Sequence, residues 1–434
     1  MKKILTIFSL VVAAFAAVSC EDPNKPVDVT VQVLFEDQPF AVSGLEVALT
    51  DSYSTYFANT DASGLASFSV PVGAYSASVS YKTSENGVRI AYSGSNNLVL
   101  VAAAGMEFEV DLQKVESQQI IIKELYCGGC PKNEGTGAYT NDGYVILYNN
   151  SDIEADASNI VITFAAPYNA NGTNKYYTNG SLLYENESWI PSYGAIWWFQ
   201  KSVIIPAYSQ IVVAFFGAID HTATVSASVN LAKSDYYWMS NSGLTAYTNA
   251  KYAVSDAIPT DNYLTCSPFT KGNAWALSNT APAFYIGKMT PSEAKTISDD
   301  ASNYDATLGT TEAFKVVKFP KERVIDAVEV WSAANIAKSQ LRFPASINNG
   351  YAAFTNQKGY TIYRNVDKEA TEALIENDGK LVYSYAGGTD DVNGSTDPSG
   401  IDAEASIKAG AHIIYSETND SAVDFHQRKT ASLK

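Results

Sequence analysis

The sequence predicts an all-β protein, on the basis of its strand-like runs, its frequent turn residues and its few helical patterns. Short β-branched and aromatic runs recur along the chain and are separated by Gly, Asn, Asp and Ser, a pattern that is typical of strands joined by turns. A long amphipathic helical pattern is missing from most of the chain. We therefore expect β-sandwich architecture with a few short helices.

Composition limits the function classes. The chain has 434 residues, of which 46% are hydrophobic and 17% are charged, so it is long enough for about two to four domains and is not globally disordered. Its 46 acidic and 29 basic residues give a net charge of −17, which disfavours nucleic acid or an anionic membrane surface as a partner because like charges repel. None of the local nucleophile, metal or phosphate-binding motifs is present, and no cofactor is predicted.

Residues 1–19 predict a signal peptide. Two lysines precede the apolar run Ile4–Val18, which is too short and ends too sharply for a membrane span. The following Ala17-Val18-Ser19-Cys20 resembles the lipobox of bacterial lipoproteins, in which cleavage leaves a lipidated cysteine. The resemblance implies that Cys20 carries the lipid that attaches the protein to a membrane. Ordinary secretory cleavage after Ala17 or Ser19 is the alternative.

Residues 20–26 are predicted to be a lipid-anchored tether, because they are polar, contain proline and should be extended. Removal of residues 1–19 takes away two lysines and no acid, so the net charge changes from −17 to −19. Lipid rather than charge must then hold the protein on a membrane. Glu21 and Asp22 resemble the surface-export signal of Bacteroidetes lipoproteins, which implies an outer-membrane lipoprotein on the cell surface. A periplasm-facing anchor is the alternative.

Residues 27–114 are predicted to form a first sandwich, since seven strand-like runs in this length are typical of immunoglobulin-like domains. The runs are Val29–Phe35, Leu45–Thr50, Ala66–Val70, Tyr75–Tyr81, Arg89–Tyr92, Leu98–Ala102 and Met106–Leu112. Asp61–Gly64 predicts a tight turn in which the Asp61 carboxylate accepts from local amides and Gly64 adopts a positive φ. The segment Thr60–Tyr75 resembles carboxypeptidase-regulatory or transthyretin-like domains, which implies a spacer or docking module without catalytic residues.

Residues 115–434 are predicted to form a second, larger domain. The run Asn141–Asn150 resembles the second strand of the lamin-tail domain, an immunoglobulin-like sandwich, although Ile146 replaces that family's usual glutamate. Further pieces match in order: Ile205–Ala214, Trp275–Asn279, Val324–Val328, Gly359–Arg364 and Asn419–Phe425. The resemblance implies an expanded lamin-tail-like sandwich with long insertions near 150–200, 217–272, 290–320 and 333–358. With its lipidated start, the chain resembles an uncharacterised type of Bacteroidetes lipoprotein.

Two short helices are predicted within the second domain. Thr290-Pro291-Ser292-Glu293 has the residues of an N-cap, a first-turn proline and a capping-box glutamate. A second helix is expected at Lys368–Glu376. Both helices should lie on the outside of a β core.

Cys127 and Cys130, separated by two glycines, form the most conspicuous local motif. A thioredoxin-type site needs its first cysteine at a helix N-terminus, whereas a proline and a polar run follow here. With Cys266 there are three thiols besides Cys20, an odd number for an oxidising compartment. We predict a structural disulfide between Cys127 and Cys130. A bond from Cys266 to either one, metal binding, redox catalysis and free thiols are the alternatives.

The sequence offers little support for a metal site or for functional histidines. His221, His412 and His426 are dispersed, and we expect histidines on inserted loops to face solvent. Asp391, Asn393 and Asp397 could supply oxygen ligands to calcium. They lack the EF-hand spacing, so a solvated turn is the preferred interpretation and no metal is predicted.

Aromatic residues are the better functional lead. Eight of them fall in two short segments: Trp189, Tyr193, Trp197, Trp198 and Phe199 in the first, and Tyr236, Tyr237 and Trp238 in the second. Indole and phenol rings suit binding to sugar faces, peptides or proteins. We predict that Tyr236–Trp238, together with Trp198, form the rim of a ligand or partner surface on an Asn/Ser-rich insertion. The alternative is packing, with Trp197 and Phe199 inside a sandwich and Trp198 outside.

These observations predict a non-enzymatic lipoprotein of the cell envelope that binds a glycan or peptide ligand or a partner protein. The family type suggests an accessory role beside an outer-membrane uptake receptor. A glycan-acting hydrolase is an alternative, because two of the 46 acids could form a catalytic pair. A purely structural surface protein is another.

Overall fold

The computed structural model describes residues 25–434 apart from 52, 86–87, 171–173, 240–255, 257, 273, 339 and 392–393. Strands account for 39% of the chain and helices for 13%, so the predicted all-β class is confirmed. The chain divides between Ser117 and Gln118 into two compact units, three residues beyond the boundary expected after Lys114. The predicted signal peptide and Cys20 lie outside the described residues. None of the described helices has the length and apolar character needed to cross a membrane.

Unit 1 contains nine described strands, which form two sheets. They are β1 (Val27–Phe35), β2 (Gln38–Pro39), β3 (Glu46–Thr50), β4 (Thr55–Asn59), β5 (Leu65–Val70), β6 (Gly73–Glu85), β7 (Val88–Val101), β8 (Glu107–Asp111) and β9 (Gln113–Ser117). The first sheet has β1 between β5 and β8, with β2 paired to the end of β1. The second runs β4-β3-β6-β7-β9. Two runs that were expected as separate strands, Arg89–Tyr92 and Leu98–Ala102, belong to the single strand β7.

A single apolar core joins the two sheets of unit 1. In β1 the buried residues Val29, Val31 and Val33 alternate with partly exposed ones, as expected for a strand with one face on a core. Val47 of β3 and Phe68 of β5 belong to the same core cluster. This shared core makes unit 1 a β-sandwich.

The turn between β4 and β5 has the predicted form. Asp61 Oδ1 accepts hydrogen bonds from the amides of Ser63, at 2.8 Å, and Leu65, at 3.1 Å. Gly64 has a φ of +79°, and a Cβ there would lie 2.4 Å from the carbonyl oxygen of Phe40. Asp61 is therefore a turn residue, as predicted.

Unit 2 contains the remaining described strands. They are β10 (Ile120–Tyr126), β11 (Cys130–Pro131), β12 (Ala138–Tyr139), β13 (Tyr144–Asn149), β14 (Ala155–Asp156), β15 (Ile160–Phe164), β16 (Tyr177–Thr178), β17 (Ser181–Leu182), β18 (Trp189–Tyr193), β19 (Trp197–Trp198), β20 (Ile204–Ile205), β21 (Gln210–Ala214), β22 (Tyr237–Met239), β23 (Tyr263–Cys266), β24 (Ala283–Lys288), β25 (Tyr304–Asp305), β26 (Val316–Pro320), β27 (Val324–Ser332), β28 (Ala352–Phe354), β29 (Thr361–Arg364) and β30 (Phe425–Arg428).

A twelve-stranded mixed sheet organises unit 2, in the order β28-β27-β24-β15-β19-β23-β22-β21-β13-β10-β29-β30. The pairs β21–β22, β22–β23 and β27–β28 are parallel. The sheet folds back on itself, since the amide of Ile122 in β10 donates to Asp326 Oδ2 of β27 at 2.6 Å. The amide of Thr355, next to β28, likewise donates to Gln427 of β30. A large apolar core lies inside this curled sheet.

Buried ion pairs connect distant strands of the curled sheet. Arg364 on β29 is fully buried; its Nη2 donates to Asp326 on β27 at 2.5 Å, and its Nε donates to the carbonyl of Ile122 at 2.7 Å. Glu417 also pairs with the guanidinium. The charge and hydrogen bonds of Arg364 thus hold β10, β27 and β29 together, because breaking a buried pair is costly.

Residues expected as insertions contribute strands of the central sheet, which corrects the sequence prediction. The segment 150–200 supplies β15 and β19, and the segment 217–272 supplies β22 and β23. These strands are short and aromatic, with both sheet faces covered. The alternating pattern that reveals a half-exposed strand is therefore missing there.

In the part of unit 2 that the structure describes, four short α-helices lie around the sheet: α1 (Pro291–Asp299), α2 (Lys368–Glu372), α3 (Ala403–Lys408) and α4 (Ser421–Asp424). The predicted capping box is present at α1, where Thr290 accepts from the amide of Glu293 and Glu293 accepts from the amide of Thr290. The helix expected at Lys368–Glu376 is shorter, and a 3₁₀ turn at Ile375–Asn377 follows it.

Candidate ligand-binding cleft

An aromatic cleft opens on unit 2 and has a volume of about 230 Å³. Four segments line it: Phe164 with Tyr168, Tyr193 with Gly194, Thr270–Gly272 and Ala274–Ala276. Phe164 ends β15 and Tyr193 ends β18, so the ends of two strands set the position of the cleft.

Hydrogen bonds fix the turn after β18 against the segment that forms the opposite wall. The amides of Phe269 and Thr270 donate to the carbonyl of Gly194 at 3.2 and 3.3 Å. The amide of Gly194 donates to Thr270 Oγ1 at 3.1 Å, and that hydroxyl donates to the carbonyl of Lys315 at 2.8 Å. Gly194 has a φ of +85°, and a Cβ there would lie 2.8 Å from Trp275 Cδ1. Glycine is therefore required where the indole packs on the turn.

Four aromatic rings form the apolar surface of the cleft. The ring centroid of Phe164 lies 5.1 Å from that of Trp275, 5.7 Å from that of Tyr193 and 6.1 Å from that of Tyr168. Phe164 and Trp275 are buried, whereas Tyr168 and Tyr193 are half-buried. The first two rings thus form a rigid floor and the two tyrosines form partly exposed walls.

The polar groups of the cleft have defined hydrogen-bonding capacity. The Tyr193 hydroxyl donates to the carbonyl of Ala313 at 3.0 Å, and the Tyr168 hydroxyl donates to the carbonyl of Leu277 at 3.3 Å. Burial raises the pKa of both phenols, so both stay protonated at neutral pH. Each hydroxyl proton is already used in a hydrogen bond, and each oxygen can still accept one. Lys271, exposed at the edge, supplies N–H donors.

The described residues that line the cleft include no Asp, Glu, His or Cys. A general acid and base for hydrolysis are usually carboxylates or histidine. The described lining offers aromatic rings, tyrosine hydroxyls and a lysine to a ligand.

The predicted aromatic rim is wrong for three of its four residues. Tyr236, Trp238 and Trp198 are 6%, 0% and 7% exposed. Trp238 lies in β22, between β21 and β23, where its ring is 4.9 Å from that of Tyr263. These rings pack in the core because a central sheet strand takes the place of the expected loop.

Tyr237 and the Trp197–Phe199 segment are also largely packing residues. Tyr237 is half-buried, and its ring centroid lies 5.1 Å from that of Phe199. Trp197 is buried together with Trp198, so the outward orientation expected for Trp198 is wrong as well. Both faces of β19 are covered.

The predicted disulfide between Cys127 and Cys130 is not formed, and Cys127, Cys130 and Cys266 are all free, buried thiols. Cys130 Sγ donates to Asp142 Oδ2 at 3.4 Å. Burial raises the pKa of Cys127 to about 12, and burial together with the Asp142 charge raises the pKa of Cys130 to about 11. Such thiols hold their protons and are poor nucleophiles.

Steric limits explain the two glycines between these cysteines. A Cβ on Gly128 would lie 2.7 Å from the ring of Phe354, and one on Gly129 would lie 2.3 Å from the carbonyl oxygen of Tyr139. Gly129 also has a φ of +72°. The motif is therefore a tightly packed turn.

Asp391 and Asp397, which were considered as calcium ligands, accept hydrogen bonds from other groups of the protein. Asp391 accepts from Thr355 Oγ1 at 2.9 Å and from Gln427 Nε2 at 2.6 Å. Asp397 accepts from the amides of Val366, at 3.0 Å, and Ser399, at 2.8 Å. Asn393 lies outside the described residues. Within the part of the chain that the structure describes, no three His, Cys, Asp or Glu side chains converge on a metal site.

Two of the three histidines are buried, contrary to the expectation that they face solvent. His221 and His426 are 1% and 3% exposed. His221 Nδ1 lies 2.7 Å from the Tyr139 hydroxyl, and its Nε2 lies 2.9 Å from the carbonyl of Gly217. Both histidines therefore serve as hydrogen-bonding groups inside unit 2, and only His412 is exposed.

The residues of the cleft were largely missed from sequence. Tyr193 belongs to the first aromatic segment, and Trp275 belongs to a piece that resembles part of the lamin-tail domain. Phe164, Tyr168 and Lys271 carried no signal, because residues more than 100 positions apart converge only in the folded sheet. Gly194 was a weak clue, since a glycine between aromatic strands can mark a close approach.

Comparison with known proteins identifies the family. A family model described as a protein of unknown function (DUF4876) matches residues 208–432, just over half of the chain. The chain belongs to the DUF4876 family. The match includes the lining segments Thr270–Gly272 and Ala274–Ala276 and leaves out Phe164, Tyr168 and Tyr193.

Solved structures include another DUF4876 protein. A crystal structure of a DUF4876 family protein from Bacteroides thetaiotaomicron VPI-5482 is 17% identical and has a TM-score of 0.52, covering 92% of this chain and 94% of that chain. This likeness supports the fold. No curated protein matches the sequence.

Two DUF3823 family crystal structures are more distant from this DUF4876 chain. The protein from Parabacteroides merdae ATCC 43184 is 9% identical, with a TM-score of 0.16, and covers 44% of this chain and 79% of that chain. The protein from Bacteroides ovatus ATCC 8483 is 13% identical, with a TM-score of 0.15, and covers 44% of this chain and 98% of that chain. Neither likeness bears on the fold or the function.

Proposed function

We propose that this DUF4876 protein is a lipid-anchored protein of the bacterial cell envelope that binds a sugar-like ligand in the aromatic cleft. The cleft is the observation that carries the proposal, because aromatic rings, two tyrosines and a lysine line it together. The described lining favours binding over glycan hydrolysis, the enzymatic alternative.

Hydrogen-bonding capacity selects the chemical class of the ligand. The phenol oxygens of Tyr168 and Tyr193 can only accept further hydrogen bonds, and Lys271 can only donate. A sugar hydroxyl does both, while the apolar face of the ring packs on aromatic side chains. The cleft volume of about 230 Å³ is below the range of drug-sized pockets, so one sugar ring of a longer glycan is the best fit.

The envelope location rests on the first residues of the sequence. The lipobox-like segment before Cys20 supports lipid attachment, and the acids at positions 21 and 22 support display on the cell surface. A lipid-anchored sugar binder at the surface would deliver its ligand to an outer-membrane uptake receptor, the partner suggested by the lipoprotein resemblance.

A blocking substitution at Gly272 tests the cleft. Gly272 lines the cleft, is exposed, and leaves room for a side chain, since an added Cβ would have its nearest neighbour 3.6 Å away. Gly272→Trp should fill the cleft without disturbing the core. We expect it to weaken binding of a methyl glycoside at least about tenfold, or about 1.4 kcal/mol, in titration calorimetry. Gly272→Ala is the matched control and should bind like the unsubstituted protein.

A panel of neutral methyl glycosides, with indole as an apolar probe, distinguishes a sugar-binding site from a site that takes any apolar ring. Binding of indole alone would show that the cleft takes an apolar ring and that the sugar assignment is wrong. Equal affinity of a glycoside for Gly272→Trp and Gly272→Ala would place the site outside the cleft. Absence of binding by every probe would contradict the proposed function.

A further inference from the structure

A buried lysine, an amide and a carboxylate meet on the second face of the unit 2 sheet. Lys123 on β10 is fully buried. Its Nζ lies 2.7 Å from Oε1 of Gln210 on β21 and 2.8 Å from Oε1 of Glu404 on α3. The amine is therefore in contact with both an acyl group and a proton carrier.

An irregularity in β10 places this lysine. The pairing of β10 with β13 shifts between Ile122 and Glu124, so Lys123 is the extra residue of a β-bulge. Ile122 enters the main core, whereas Lys123 lies on the opposite side, against Tyr148, Tyr363 and Tyr415.

Three tyrosine rings enclose the ammonium group. Their centroids lie 5.7, 5.5 and 5.6 Å from Lys123 Nζ, for Tyr148, Tyr363 and Tyr415 respectively. The Tyr363 hydroxyl donates to Glu404 Oε1 at 2.7 Å and so orients the carboxylate. Burial of a lysine is costly unless its charge is paired, and the enclosure keeps the lysine beside Gln210 and Glu404.

We propose that Lys123 and Gln210 condense to an isopeptide bond in the folded protein, with Glu404 carrying the proton. Glu404 takes a proton from the Lys123 ammonium, and the neutral amine attacks Cδ of Gln210 to give a tetrahedral intermediate. Protonated Glu404 gives this proton to Nε2, and the Cδ–Nε2 bond breaks as the carbonyl re-forms. Glu404 then takes the second proton from Nζ, which leaves a neutral amide with the new Nζ–Cδ bond, and passes it to the departing ammonia, which leaves as ammonium. The reaction needs no oxidant, reductant or cofactor.

Several features of the site suit this condensation. Proximity within the fold supplies much of the barrier reduction, because reacting groups held in contact need no encounter. The closeness of Lys123 opposes the effect of burial on Glu404 and lowers the pKa of that carboxyl below its ordinary value, so it is an ionised proton acceptor. Gln210 is exposed, which gives ammonia a route to solvent.

The bond would join β10 to β21 across the intervening strand β13 and close a loop of 87 residues. Such a cross-link restricts the unfolded chain in the same way as a disulfide. It needs no thiol oxidation. This inference is independent of ligand binding in the cleft.

Mass spectrometry of the purified folded protein tests the proposal. The intact mass should be lower than the sequence mass by one ammonia, and a tryptic digest should give a branched peptide joining the segments around Lys123 and Gln210. Asn-Gly succinimide formation also releases ammonia, so the position of the link is part of the test. Lys123→Arg, which keeps the positive charge, should lose the branched peptide. Glu404→Gln should lose it too or form it far more slowly.

Recovery of Lys123 and Gln210 on separate, unmodified peptides from the folded unsubstituted protein would overturn the proposal. That outcome would make the contact an ordinary buried ion pair with a hydrogen bond. The measurement on the unsubstituted chain decides the question even where a variant fails to fold.

Discussion

Buried charged side chains in unit 2 are individually compensated by specific partners. Arg342 and Glu329 are both fully buried; Glu329 accepts from Arg342 Nε at 3.0 Å, from the Arg342 amide at 2.9 Å and from Trp331 Nε1 at 3.3 Å. The guanidinium also donates to the carbonyl of Ala281 at 2.8 Å. Each such group constrains the core around it, because removal of one partner leaves an unpaired buried charge.

His426 is a buried base whose environment fixes its tautomer. Its Nδ1 lies 2.7 Å from Oδ1 of Asn365, and its Nε2 contacts the hydroxyl of Tyr385. The Asn365 oxygen can only accept, so Nδ1 carries the proton and Nε2 accepts from Tyr385. Burial, together with the nearby charge of Arg428, lowers the pKa of His426 to about 3.

This lowered pKa predicts loss of stability in acid. The unfolded chain binds a proton at His426 below about pH 6.5, whereas the folded chain does so only near pH 3, so folding is disfavoured increasingly as pH falls through this window. The loss from this group should approach about 1.4 kcal/mol per pH unit. Urea unfolding of the unsubstituted protein and of His426→Gln at about pH 7 and pH 5 measures it. The variant should show the smaller drop in unfolding free energy, and equal drops would contradict the assignment.

Strand patterning explains which elements were predictable. In unit 1 each core strand buries one face, so residues such as Val29, Val31 and Val33 alternate with polar ones and the strands were recognised. In unit 2 a strand such as β22 is covered on both faces and is only three residues long. Its aromatic residues therefore looked like a loop with exposed rings.

The features of the fold and of the cleft that were not predicted depend on residues far apart in the sequence. The order of twelve strands, the bulge at Lys123 and the meeting of Phe164 with Trp275 all depend on contacts between distant segments. Local signals were reliable where the chemistry is local, as at the Asp61 turn and the α1 cap. The sequence thus predicted the fold class, the Asp61 turn and the α1 cap, but not the residues of the cleft.

The α1 cap predicts a measurable local stability. Thr290 Oγ1 accepts from the amide of Glu293 at 3.2 Å, and the Glu293 carboxylate accepts from the amide of Thr290 at 2.8 Å. Thr290→Ala removes one half of this reciprocal pair and should lower the free energy of unfolding by about 1 kcal/mol. Thr296→Ala, an exposed position within the same helix, is the matched control. Since alanine favours helix interiors, the control should be neutral or slightly stabilising in urea unfolding, and a similar loss in both variants would argue against a capping effect.

The chain combines two acidic β units with an N-terminal segment that resembles a lipoprotein signal. The net charge of −19 expected after cleavage opposes adsorption to an anionic membrane surface. The described helices include none that could cross a membrane. The proposed membrane attachment through Cys20 has a direct test.

Cys20→Ala should move the protein from the membrane fraction to the soluble fraction. Lipid chains contribute about 0.8 kcal/mol for each CH₂ group that they bury, and one chain alone gives only reversible binding, so a diacylated cysteine is the expected source of stable attachment. Fractionation after a high-salt wash, followed by immunoblotting, measures the distribution. Asn24→Ala leaves the lipobox-like segment intact and should remain with the membrane. If Cys20→Ala stays in the washed membrane pellet, another part of the chain or a membrane partner holds the protein there, and the lipid-anchor proposal is wrong.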